Sequence, residues 1–401
     1  MANKFSANAP TLGYLYQIRY ALFVLLQRIA NEPDAKISIE ILDDVAFEDN
    51  GQPLELHQLK HHINIKKEAS LTNSSTDLWK TIRIWSENLD KNSNVSQEIA
   101  LILVTTATAP NGSIASKLRH GSSRDEGEAL GEMLKVIKDS RSVSNQPCYN
   151  AFKSLSKKQQ QFLISKIQIV DQSPNIADLE DKIVKRLRLS TRFPQALKSR
   201  LEGWWFERTI NHLMDDNHAP ISGIELQSKI DSISDELRPD TLPNDFPVLV
   251  EKDETEIASS DRIFVEQLRL IMLGNTRLRF AIGDYYRAFS QRTKWLDDGL
   301  ILPDELEKYE DILVGEWRRQ FEIMKEELPN GLPSESRMIE LGKSLFKWAE
   351  TNNHTPIRRD FLGDFSRGNY HILSNQLKVG WHPDFQSRLS HLITQAVTQI
   401  V

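Results

Sequence analysis

One segment constrains the fold of this chain more than any other: residues 98–106, EIALILVTT, an unbroken apolar run of strand length closed by polar residues. A strand that is apolar on both faces must be covered on both, so it belongs inside a sheet with a layer packed on each side. The surrounding sequence offers those layers. Residues 12–30 (LGYLYQIRYALFVLLQRIA) are apolar on nearly every helical face and read as a buried helix. Gln17 is the polar exception in it, an amide that must either brace the core or face a site. Residues 36–47 (KISIEILDDVAF) and 54–60 (LELHQLK), joined by the turn-rich EDNGQP, read as a β-hairpin. Residues 77–89 put Leu78, Ile82 and Trp85 on one helical face behind Asp77 as N-cap.

Further along, residues 107–129 are dense in Gly, Ser and Pro and read as a mobile connection. Residues 163–170 supply another short strand, and 176–189 a helix with acids early and bases late, as its dipole prefers. The expectation is an α/β N-terminal domain, a central mixed sheet flanked by helices, over residues 1–205. Residues 206–250 read as a helical connector, with TLPNDFP (241–247) as linker. From 251 to 401 nearly every segment carries apolar residues at three- and four-residue spacing, which predicts a mostly α-helical C-terminal domain.

Composition removes several classes. No apolar run approaches the roughly 18 residues of a spanning helix, so no membrane is expected. Residues 1–10 lack the basic-then-apolar pattern of a secretory signal, and the single cysteine, Cys148, fits a cytoplasmic setting. Residues 1–200 hold 27 basic and 22 acidic side chains and the remainder 23 and 34, an asymmetry expected where only one half meets a polyanion. The window 151–200 is the most basic, with 11 Lys or Arg against 4 Asp or Glu.

The hairpin carries the chemistry. Its first strand ends in Glu40, Asp43 and Asp44, and its second in Gln58-Leu59-Lys60. Side chains alternate along a strand, so Gln58 and Lys60 share a face, and so do Glu40 and Asp44. Antiparallel pairing would bring acid, amide and amine to one point. Such a group suits phosphodiester hydrolysis with Mg²⁺ or Mn²⁺, since hard oxygen ligands hold the ion and a nearby amine positions water and stabilises the oxyanion. On this reading Asp44 is the main metal ligand, Gln58 adds a carbonyl oxygen and Lys60 is the water-positioning amine. Glu40 and Asp43 are further candidate ligands and Gln17 a second-rank site residue. Lys66, Lys67, Lys182, Lys185, Arg186 and Arg188 are candidates for tracking DNA phosphates.

A strand acid followed on the next strand by Gln-x-Lys resembles the restriction-endonuclease-like nuclease superfamily in the variant where Gln replaces Glu. More narrowly, GYLYQ (13–17), EILDDV (40–45), ELHQLKHH (55–62) and DLWKTIRIW (77–85) resemble the double-stranded-DNA nuclease domain of bacterial anti-phage effectors. In the second half, QRTKWLDDGL (291–300), YEDILVGEW (309–317), PIRRDF (356–361), GNYHILSN (368–375) and VGWHPDF (379–385) resemble the C-terminal domain of nuclease subunits from three-component defence systems built around an SMC-like ABC ATPase, those of the Lamassu type. The resemblance implies a DNA endonuclease held quiet by the ATPase and a small accessory subunit and active as a homo-oligomer. The chain has no GxxxxGK[ST], so ATP hydrolysis would come from a partner. A non-catalytic adaptor with a nuclease-like fold and an RNA nuclease are the alternatives.

Each feature also has a plainer reading. Asp43-Asp44 can open a turn, and Gln17 can be a satisfied core amide. His57 alternates to the face opposite Gln58, and His57, His61 and His62 lack a partner set at zinc-ligand spacing. Trp79, Trp85, Trp204 and Trp205 sit at helical spacing and read as core. His382 before Pro383 reads as a structural turn.

Overall fold

The computed structural model describes residues 8–49, 51–62, 69–91, 99–217, 219–247, 262–328, 333–352, 354–358 and 364–398. It comprises two compact units, Met1–Ile233 and Ser234–Val401.

The first unit is an α/β layer structure. Its strands are β1 (Lys36–Ile39), β2 (Val45–Asp49), β3 (Gln52–Lys60), β4 (Ala100–Thr105), β5 (Ile167–Val170) and β6 (Ile221–Ser222), in the spatial order β5-β4-β3-β2-β1-β6. β3, β4 and β5 run parallel, whereas β2, β1 and β6 are each antiparallel to their neighbours, so the sheet is mixed. β4 is buried along almost its whole length. On one face Leu101 and Leu103 join a core with α2 (Thr76–Lys91), α3 (Ile114–Lys117), α4 (Glu126–Asp139), α5 (Gln146–Ser154) and α6 (Lys157–Lys166). The opposite layer holds α1 (Asn8–Arg28), α7 (Ile176–Leu187) and α8 (Pro194–Met214), with Tyr20 reaching His57 of β3.

Several local expectations change. The segment 36–47 is not one strand: it breaks after Ile39, where Glu40 takes φ +58°, and resumes at Val45. The Glu40 amide donates to the Asp44 carbonyl at 3.2 Å, closing a five-residue loop, and the Asp44 amide donates to Asp43 Oδ1 at 2.9 Å. Short acids that bond nearby backbone compete with a strand ladder in this way. Residues 40–44 therefore do not alternate, and Glu40 and Asp44 share no strand face. The turn between β2 and β3 rests on Gly51 at φ +76°, a conformation that glycine adopts without Cβ strain.

Residues 163–166 are the end of α6 rather than strand, because the Ser156–Gln159 capping box starts a helix that buries Leu163 and Ile164. A short apolar run does not distinguish the two states by period. Residues 107–129 are folded: Ile114, Ala115, Leu118 and Ala129 are fully buried there. The helix at 12–30 runs from Asn8 to Arg28 and leaves Tyr14 and Leu15 exposed at its start. Within the segment 206–250 lie the end of α8, strand β6 and α9 (Gly223–Glu236), the last crossing the division between the units.

The second unit is helical in its described residues: α10 (Ile263–Leu270), α11 (Asn275–Asp297), α12 (Pro303–Glu326), α13 (Glu335–Thr351), α14 (Asp364–Asn375) and α15 (Phe385–Thr398). Gly368 lets α14 lie directly on α11; a Cβ there would sit 2.2 Å from the Asp284 carbonyl oxygen. Residues 241–247, which read as linker, are pinned to this unit: Trp295 Nε1 donates to the Pro243 carbonyl at 2.9 Å and Gln291 bonds Asp245. In the turn before α15, His382 Nδ1 accepts the Asp384 amide at 3.1 Å.

Candidate metal and phosphodiester site

Strand pairing decides which residues meet. β3 ends at Lys60, beside Thr105 at the end of β4. β2 runs the other way and begins at Val45 opposite His57, and β1 ends at Ile39 opposite Val45. The 40–44 loop, Gln58, Lys60 and Thr105 therefore gather at one end of the sheet. That is the carboxyl end of the parallel strands, where open α/β sheets take their ligands.

Asp44 is fixed there by a bond that the sequence does not announce. Its Oδ2 accepts the Leu59 amide at 2.6 Å, setting the carboxylate against the backbone between Gln58 and Lys60. Its Oδ1 takes no hydrogen bond from the described residues. Asp43 differs: Oδ1 accepts the Asp44 amide, and Oδ2 accepts Trp85 Nε1 at 3.2 Å from buried α2. The Gln17 side chain of α1 lies near enough to Glu40 to favour its charged form, so Gln17 does face this cluster.

Gln58 is 4% exposed, and its Oε1 has no hydrogen-bond partner. A buried amide oxygen left unpaired costs about 1–3 kcal/mol. It is the one buried side-chain oxygen of β3 left without a partner among the described residues. Lys60 is half-buried and close enough to draw down the carboxyls of Glu40, Asp43 and Asp77. Even so, burial and then the charge of Asp44 hold Glu40 above its ordinary value, and burial, reinforced by Asp44, does the same for Asp43 against the Trp85 bond. The cluster is thus short of positive charge.

Two histidines flank the cluster in contacts that the sequence reading did not assign to them. His62 Nε2 lies 2.9 Å from Asp77 Oδ2; this pairing raises the imidazole and lowers the carboxyl, and the His62 amide donates to Thr106 Oγ1 at 2.9 Å. His61 stacks on Tyr16, centroids 4.4 Å apart, and burial lowers its imidazole. The only prior signal was the polar ends of ELHQLKHH and DLWKTIRIW. His57 lies on the α1 face, as alternation predicts: Nδ1 meets Tyr20 Oη at 3.1 Å and Nε2 meets Glu55 Oε2 at 3.0 Å.

Among the described residues, no three His, Cys, Asp or Glu side chains converge as a complete ligand set. What the site offers a cation is one free Asp44 oxygen, the unpaired Gln58 oxygen and carboxylates in excess. That donor set fits a hard ion such as Mg²⁺, which binds through one or two carboxylates and keeps several waters. Lys182, Lys185, Arg186 and Arg188 are all exposed around the end of α7, with no carboxylate partner among the described residues. Lys66 and Lys67 lie outside the described residues. Trp79, Trp85 and Trp205 are core, and Trp204 is half-buried.

Residues 264–389, less than half of the chain, match the family model for C-terminal domain 7 of the ABC-three component (ABC-3C) systems. The match supports membership of a multi-component system of that kind. No curated protein matches the chain. Among solved structures, the Acinetobacter baumannii Cap4 SAVED/CARF-domain containing receptor aligns at 13% identity over 64% of this chain and 60% of its own, with a TM-score of 0.33. The same receptor with the cyclic trinucleotide 2'3'3'-cAAA aligns at 14% identity over 56% and 46%, TM-score 0.32. The Moraxella osloensis Cap4 receptor aligns at 15% over 70% and 68%, TM-score 0.32. The chain thus spans only 46–68% of the length of these structures, and likeness this slight transfers neither fold nor activity. No described helix is long and apolar enough to cross a membrane.

Proposed function

We propose that this chain is a divalent-metal-dependent endonuclease of double-stranded DNA, the effector subunit of an ABC-three component anti-phage system of the Lamassu type. Its first unit would then be a restriction-endonuclease-like domain. The observation that carries the reading is the 2.6 Å bond from the Leu59 amide to Asp44 Oδ2, which sets a carboxylate beside buried, unpaired Gln58 and half-buried Lys60.

Asp44 and Gln58 would hold the ion, with Glu40 adding negative charge. When bound, Mg²⁺ or Mn²⁺ lowers the pKa of a coordinated water and neutralises charge on the phosphate. Lys60 orients the attacking water and offers its ammonium to the oxyanion that builds on phosphorus. Asp77 and His62, ion-paired beside Lys60, hold the end of β3 against α2. The exposed bases of α7 would track phosphates without reading sequence. The second unit, carrying the matched domain, would contact the ABC ATPase and a small accessory subunit that keep the nuclease quiet until it assembles with further copies.

The test is cleavage of plasmid DNA, with RNA in parallel, by the full chain alone and with its partner subunits, in Mg²⁺ or Mn²⁺ and with EDTA. EDTA, Asp44→Asn and Lys60→Ala should each abolish cutting, the substitutions by at least about 100-fold. Cutting retained by both variants refutes the mechanism. Cleavage of RNA alone makes the chain an RNA nuclease, and metal-independent silence with intact partner binding makes it an adaptor.

A further inference from the structure

Three acids crowd one loop, and their hydrogen bonds give them different tasks. Both oxygens of Asp43 are occupied, one by the Asp44 amide at 2.9 Å and one by Trp85 Nε1 at 3.2 Å. Trp85 is 2% exposed and belongs to the core between α2 and the sheet, so its indole is a rigid donor. Asp44 keeps one oxygen free, while its other oxygen and its own amide are both tied. The chain of contacts runs from Trp85 through Asp43 to the Asp44 amide, and from the Asp44 carboxylate to Leu59. It spans a loop that contains a strained residue, Glu40 at φ +58°, and that has no ladder of its own.

We infer that Asp43 is a positioning residue and not a metal ligand: clamped between Trp85 and the Asp44 amide, it fixes the 40–44 loop and with it the carboxylate of Asp44, at the sheet end that also holds the unpaired oxygen of Gln58. Trp85 thereby has a second task besides filling the core. The inference rests on the metal-site reading above. It removes Asp43 from the candidate ligands that sequence keeps beside Asp44. Partners of this kind, one bond removed from a ligand, commonly alter metal affinity 10- to 100-fold when removed.

The experiment is calorimetric titration of the full chain with Mn²⁺ as probe, paired with thermal melting. Trp85→Phe removes the indole donor but keeps an aromatic ring, and Asp43→Asn cannot accept from both donors as a carboxylate does. Each should weaken Mn²⁺ binding about ten-fold. Asp44→Asn should lose binding altogether. A purely structural role for the clamp would lower the melting temperature without moving Mn²⁺ affinity. Should Trp85→Phe fail to fold, Asp43→Asn decides alone. If the clamp variants titrate like the parent while Asp44→Asn loses binding, the inference falls and the nuclease reading stands. If Asp43→Asn loses binding as completely as Asp44→Asn, Asp43 is a ligand and the inference falls again. If the parent chain binds no Mn²⁺, or Asp44→Asn leaves binding unchanged, the reading itself falls and takes the inference with it.

Discussion

Replacing Glu55 by Gln should weaken the first unit by an amount that depends on pH in a calculable way. Glu55 lies on β3, three residues before Gln58. Its Oε2 accepts from His57 Nε2 at 3.0 Å and its Oε1 pairs with Arg28, itself bonded to Glu32. The His57 bond and the Arg28 guanidinium outweigh burial and hold the carboxyl at about 2, against an ordinary 4.5. The side chain is only 24% exposed, so solvent screens this little. A gap of about 2.5 pH units corresponds to about 3.4 kcal/mol favouring the charged form in the folded state. Because the folded value is depressed, this stability is present above the unfolded value near 4.5 and is lost as pH falls toward 2. The same linkage leaves about 2 kcal/mol at pH 3.5. Glu55→Gln removes the charge and leaves one acceptor oxygen where the carboxylate has two, so it should cost at least about 3 kcal/mol at pH 7 and about 2 kcal/mol at pH 3.5. Urea unfolding read by hydrogen-exchange labelling of β3 peptides, with the pulse given at one common pH, isolates this unit from the helical one. A loss below about 1 kcal/mol at pH 7, or an equal loss at both pH values, would show that the network carries no such charge coupling.

Two further outcomes follow from surface charge and from close packing. Changing Lys182, Lys185, Arg186 and Arg188 together to Gln should flatten the slope of log K against log salt for a labelled duplex by about 0.9 for each phosphate no longer neutralised, and an unchanged slope in anisotropy titrations would remove α7 from the DNA path. Gly368→Ala should destabilise the second unit by at least about 1–3 kcal/mol in thermal unfolding, because the backbone oxygen that its Cβ meets at 2.2 Å has no room to yield; Gly315→Ala, mid-helix with open space around it, should leave that unit as stable or slightly more so.

The parts of the fold that were legible are those set by local burial. β4 announces itself because both of its faces are covered, and α2 because Leu78, Ile82 and Trp85 recur at helical spacing. The face shared by Gln58 and Lys60 follows from alternation alone, and the opposite orientation of His57 follows with it. What stayed hidden was set by contacts distant in sequence or by unusual backbone. Alternation carried through Glu40 fails because that residue turns left-handed, and no periodicity reports φ. Residues 107–129 looked mobile because Gly and Ser dominate their composition, whereas a few apolar side chains decide their burial. Residues 241–247 looked like linker because a bond such as Trp295 to Pro243 spans 52 positions.

The same division runs through the site. Sequence names Asp44, Gln58 and Lys60 but is silent on what brings them together, since the joining bond ends on a backbone amide that any residue at 59 would supply. It ranks Asp44 first but keeps Glu40 and Asp43 as further ligands, because all three are acids within five positions; the hydrogen-bond partners Trp85 and Leu59 tell Asp43 and Asp44 apart. Gln58 is the sharpest case. A leucine of similar size would fill a 4% exposed position on β3 without leaving an acceptor unpaired, and would add about 2 kcal/mol of apolar burial. Packing therefore gives no reason for an amide there. On the proposed reading an ion held by Asp44 would be the partner that this buried oxygen lacks, so the titrations of the Asp44 and Asp43 variants bear on Gln58 as well.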